Sequence, residues 1–114
     1  MKSKFEMVLL QGVWELFDIL DEKAKEKIIY NIDKSKYLND PELFKKLDNE
    51  IWEFRTKYNG KYYRLFAFWD KMDKSETLVV ATHGIIKKMD RISKTEIEKA
   101  KTIMKVYFEQ KTNI

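Results

Sequence analysis

The dipeptide Asn59-Gly60 constrains this chain more than any other feature. It lies between two runs rich in aromatic and β-branched residues, IWEFRTKY and KYYRLFAFW. A two-residue hairpin loop of type I′ needs positive φ at both central positions, which Asn and Gly adopt with least strain. With that loop, Tyr58 faces Lys61, and the register runs on through Lys57–Tyr62, Arg55–Arg64 and Glu53–Phe66. Strand side chains alternate, so the last three pairs share one face of the sheet. Trp52, Phe54, Leu65 and Ala67 share the other, a core face, with Thr56 and Tyr63 nearer the turn.

The rest of the chain builds around this hairpin. Residues 4–10, KFEMVLL, read as a strand. Val13, Leu16, Phe17, Leu20, Ala24 and Ile28 then recur at spacings of three and four, which predicts one amphipathic helix. Ile32 to Asp40 has turn character. Asp40-Pro41 opens a predicted short second helix ending near Leu47, with Asp40 as N-cap. Residues 77–83, TLVVATH, read as a third strand, apolar enough to be central and well buried. Ser93 and Glu96 form a capping-box pattern before Ile97, Ala100, Met104, Tyr107 and Phe108, a terminal amphipathic helix. Runs of helix and runs of strand, unalternated, predict an α+β fold: a curled antiparallel-rich sheet flanked by two N-terminal helices and a C-terminal helix, with the helices on one side. The length of 114 residues fits one domain spanning 1–114, and 44% apolar residues are enough for a real core.

Several function classes drop out. The chain has no cysteine, so disulfides, thiol nucleophiles and Cys-based zinc sites are excluded. A single histidine, His83, excludes a His-pair metal site. The N-terminal apolar run is far shorter than a signal peptide or a membrane span, so a soluble cytoplasmic protein with no membrane partner is expected.

The net charge is only +4, so its placement matters more than its size. Two arginines directly opposite each other repel, which selection for stability alone would avoid. Arg55, Arg64 and Lys57 together resemble an anion site, and a phosphodiester suits the forked donors of arginine. Tyr62 offers a ring on which a base can stack, and Lys61 adds charge at the turn. The plainer alternative is that Glu53 neutralises one arginine and a loop carboxylate the other. A second basic cluster, HGIIKKMDR, follows the third strand. Lys87 and Lys88 join the same patch if that strand lies beside Arg64; otherwise they belong to an ordinary solvated loop. Arg91, next to Asp90, is peripheral to it. His83 is either a structural group hydrogen-bonded to backbone or an acid–base catalyst.

WEFR at 52–55, YYRLF at 62–66, HGIIKK at 83–88 and EIEKA at 96–100, in this order, resemble the signature of HigB-type phage-associated toxins, a branch of the RelE/ParE superfamily. The resemblance runs from about Ile51 to the C-terminus, with a looser helical match over Val13–Ile32. It implies a small RelE-like fold with a basic concave face. It also implies the toxin of a type II toxin–antitoxin system, an endoribonuclease that cuts mRNA on the ribosome and is held by a cognate helix-turn-helix antitoxin. The family's cleft arginines correspond to Arg55 and Arg64, and its later basic residues to Lys87 and Lys88. The sequence departs at Ile85, where members often have Phe, and at ISKT, where they often have Pro. The C-terminal tyrosine of some relatives has no secure counterpart, and Tyr107 falls on the core stripe of the last helix.

Such cleavage needs the 2′-OH deprotonated, charge on the phosphorane stabilised and the 5′-oxygen protonated. Arg64 and Arg55 would hold the phosphate, Lys87 or Lys88 would act as base, and His83 is the alternative base or acid. No metal or cofactor is expected. Two rivals remain: a non-enzymatic ParE-like gyrase poison, and a non-toxic phage-derived RNA-binding or interaction module.

Overall fold

The computed structural model describes residues 3–72, 77–87 and 94–112. Its elements run β1 (Glu6–Leu10), α1 (Gln11–Ile19), α2 (Glu22–Ser35), β2 (Phe44–Lys46), β3 (Trp52–Tyr58), β4 (Lys61–Asp70), β5 (Leu78–Lys87) and α3 (Lys94–Thr112). The strands form one sheet in the order β1-β5-β4-β3-β2. Four of them pair antiparallel, while β1 adds to the β5 edge in parallel, so the sheet is mixed and the fold is α+β.

The sheet separates two apolar cores. On one face, Val13, Leu16 and Phe17 of α1 and Ala24, Ile28 and Ile32 of α2 pack on Phe54, Tyr63, Leu65, Ala67, Val79 and Ala81. On the other, α3 lays Ile97, Ala100, Met104, Tyr107 and Phe108 over Phe66, Phe68 and Val80. The helices therefore lie on both sides of the sheet, not on one as the order of elements suggests. Tyr107 has the packing role expected of it: its ring meets Phe68 edge-on, and its hydroxyl donates to Asp70 at 2.7 Å. Asp70 is almost fully buried and also accepts from Lys111, so α3 is pinned at its C-terminal end. Among the described residues, no helix is long and apolar enough to cross a membrane.

Three predicted elements differ from those observed. The single helix from Val13 to Ile28 is two helices, interrupted at Leu20-Asp21, where both residues are extended. Asp21 accepts from the Ala24 N–H at 2.8 Å and starts α2 afresh, as an N-cap does. The apolar spacing survives the break because both helices pack on the same sheet face. α2 then runs to Ser35, into the stretch read as turn.

The predicted helix at Asp40–Leu47 is a turn followed by β2. Asp40 does act at its start: its Oδ1 accepts from Glu42 N–H, and its carbonyl accepts from Leu43 and Phe44. The segment then leaves the helical path because Phe44 stacks on Trp52 and Phe54, with ring centroids 4.8 and 4.2 Å away. Packing on an open strand edge outweighs the local start signal.

The third strand of the hairpin system does not stop at His83 but continues to Lys87. Its bulge lies at Thr82, between the Phe66–His83 and Ala67–Ala81 pairs. Gly84 stays inside the strand, and a Cβ there would lie 2.5 Å from side-chain carbons of both Leu16 and Leu65. The glycine lets α1 seat directly on the sheet.

Candidate functional site

The tight turn sets the site. Asn59 and Gly60 have φ of 52° and 76°, as a type I′ hairpin demands. Tyr58 pairs with Lys61, and Lys57–Tyr62, Arg55–Arg64 and Glu53–Phe66 follow in register. β5 adds a third column, with Tyr62 facing Lys87, Arg64 facing Ile85 and Phe66 facing His83. One face thus carries three successive rows: Lys57–Tyr62–Lys87, Arg55–Arg64–Ile85 and Glu53–Phe66–His83. β2 extends the last row by placing Lys45 beside Glu53.

α3 covers only part of this face. It packs over Phe66 and Phe68, and its first turn reaches His83 through Glu96. The rows nearer the hairpin turn lie beyond that contact. Lys57 and Lys61 are exposed, while Arg55, Tyr62 and Lys87 are half-buried. Lys87 therefore joins the patch, as a strand beside Arg64 requires. Lys88 and Arg91 lie outside the described residues, as does Ser93 of the capping box.

Beneath the accessible cations sits a buried ion pair. Arg64 is 4% exposed and Glu53 1%. Glu53 Oε1 is 3.1 Å from Arg64 Nε, and Oε2 is 4.0 Å from Arg55 Nε. Arg55 also donates from Nη1 to the Pro41 carbonyl at 3.3 Å. Burial pushes the Glu53 carboxyl above the ordinary range, against the pull of Arg64, Arg55, Lys45 and Lys87. Burial lowers Arg64, which Glu53 partly offsets and Arg55 reinforces. Arginine remains charged throughout the physiological range regardless. The Tyr62 ring lies against two cations, 5.4 Å from Lys57 Nζ and 5.5 Å from Arg64 Cζ.

His83 is buried and stacked on Phe66 at 5.0 Å. Its Nδ1 is 2.8 Å from Thr82 Oγ1, and its Nε2 is 2.9 Å from Glu96 Oε1. Both ring nitrogens engage side chains, neither of them a backbone group. Burial lowers its pKa, partly countered by Glu96. His83 also lines a recess of about 500 Å³ between α1 and α3, with Gln11, Glu15 and Lys99. It faces that recess and α3 more than the row of arginines.

Sequence reasoning missed one participant and half the role of another. Lys45 was hidden because its segment reads as helix. Glu53 was visible as a neutralising charge, since alternation puts it on the face of Arg55 and Lys57, but its contact with both guanidinium groups was not.

A model of the family "Phage derived protein Gp49-like (DUF891)" matches residues 10–105, and so spans the helices, the hairpin, β5 and much of α3. No curated protein matches the chain.

Proposed function

The chain belongs to the phage-derived Gp49-like family, a RelE/ParE-like family of toxin–antitoxin toxins, and on that premise we propose that it is a toxin that cleaves mRNA on the ribosome. The observation that carries this reading is the sheet face toward the hairpin turn, where Arg55, Lys57 and Lys87 surround Tyr62 over a buried Arg64, with Lys61 at the adjoining turn. Accessible cations attract a phosphate backbone, and an aromatic ring among them gives one base a stacking surface. Arg64, nearly dehydrated, is a fixed positive charge close to where a phosphorane would form, and low local dielectric strengthens its effect. Arg55 and Lys87 would touch the phosphate, with Lys87 or Lys88 accepting the 2′-OH proton. His83 would serve as acid or base only after release from Glu96. Holding the RNA backbone in line would fall to the ribosome, which suits so sparse a set of groups. The HigB-like branch fits the same residues, and a helix-turn-helix antitoxin covering the basic face is the matching partner.

The test is a cell-free translation reaction with purified protein, mapping mRNA 5′ ends with and without ribosomes. Cuts at codon boundaries only with ribosomes are expected. An Arg55→Ala/Lys87→Ala variant should lose them while remaining folded. Intact mRNA in the presence of well-folded wild type would sink the nuclease reading in favour of a gyrase poison or a binding module.

A further inference from the structure

We propose that Glu53 is the positioning residue of the basic cleft, its two carboxylate oxygens fixing where Arg64 and Arg55 present their charge. The inference rests on the RNA-cleavage reading above. Glu53 is buried on β3, between Lys45 of β2 and Phe66 of β4, and cannot reach a substrate itself. It acts through its neighbours: Oε1 toward Arg64 Nε at 3.1 Å and Oε2 toward Arg55 Nε at 4.0 Å.

Packing alone does not account for a carboxylate here. Apolar residues of similar volume often replace buried charges at no loss of stability. The two arginines do account for it. They are direct cross-strand partners, and like charges so placed repel. One carboxylate between them offsets the repulsion electrostatically, near Arg64 Nε at 3.1 Å and farther from Arg55 Nε at 4.0 Å. Arg55 gains a second anchor at the Pro41 carbonyl. Charge stabilisation in a transition state is most effective when the stabilising groups need not reorganise. The same carboxylate subtracts one charge from the patch, so it weakens ground-state attraction for RNA. Glu53 therefore trades binding for orientation, which separates its role from a merely structural one.

The decisive variant is Glu53→Gln, which keeps the shape and removes the charge. Binding is read with a 2′-O-methyl oligonucleotide, which cannot be cut through its 2′-oxygen. Cleavage is read as the single-turnover rate in the translation reaction. Glu53→Gln should bind the oligonucleotide at least as tightly as wild type, while cleavage falls by about 10- to 100-fold, the loss typical of misplaced groups. Binding and cleavage falling together with the melting temperature would reduce Glu53 to a structural residue. Unchanged cleavage by a folded Glu53→Gln would overturn the proposal while leaving the nuclease reading intact. Intact mRNA with wild type would remove both. If Glu53→Gln does not fold, Glu53→Asp decides: it keeps the charge but shortens the reach by one methylene. Retained binding with slowed cleavage supports positioning, and full activity overturns it.

Discussion

At the scale of single residues, the buried pair changes how the site can be probed. Arg64→Ala would leave Glu53 without the partner at 3.1 Å, and stranding a buried charge costs ~3–5 kcal/mol. Its loss of activity would mix catalysis with stability, which is why Arg55 and Lys87, half-buried rather than buried, make the cleaner variant. His83 provides a separate prediction. Its folded pKa lies below the ordinary value of 6.5 because burial disfavours the imidazolium. As pH falls through 6.5, the unfolded chain takes up a proton that the folded chain resists, so stability drops. Glu53 has the opposite sign, because its raised pKa lets the folded state keep a proton longer as pH rises. Urea unfolding of wild type and His83→Gln between pH 5 and 8 separates them: the fall in stability below pH 6.5 should shrink in the variant. An unchanged slope would mean that His83 titrates normally. The face of His83 was not legible from alternation about the Asn-Gly turn, whereas that occupied by Glu53, Arg55 and Arg64 was. Their burial was not, because it depends on α3 and β2, which come from distant sequence.

At the scale of elements, local signals served best where chain and packing agreed. The hairpin register appears in the structure pair for pair because two adjacent residues determine it. The long N-terminal helix was misread as continuous because apolar periodicity carries across a break when both halves face one core. Asp21, an N-cap residue inside the periodic stretch, was the available sign. The Asp40–Leu47 segment failed for the converse reason: its start signal is genuine, but a strand edge lined by Trp52 and Phe54 offers Phe44 more than a short helix does. Phe44→Ala should therefore destabilise the protein by roughly 2 kcal/mol, below the ~3–5 kcal/mol of a fully buried Phe. Amide exchange should quicken at Arg55, whose N–H donates to the Leu43 carbonyl at the strand edge at 2.8 Å. A change confined to residues 40–43, with no effect on β3, would show that β2 contributes nothing to the edge.

At the scale of the whole molecule, charge is the property that the sequence total conceals. A net charge of +4 is ordinary, yet Arg55, Lys57 and Lys87 gather on one face toward the hairpin turn, with Lys61 at the turn beside them. Single-stranded RNA binding should weaken with salt, with a logarithmic slope of about −0.7 per phosphate contacted. Replacing Lys57 and Lys61 by Ala should flatten that slope by about 1.4 if each meets one phosphate. An unaltered slope would place the RNA elsewhere. The mixed sheet has another consequence, which concerns time. β1 precedes its partner stretch, Leu78–Ala81, with the whole hairpin in between. The hairpin needs only its neighbours and can close in about 1–10 μs, whereas β1 must wait for a distant strand. The arginines can thus meet across a closing hairpin before the sheet around them is complete, and the finished face waits for β5.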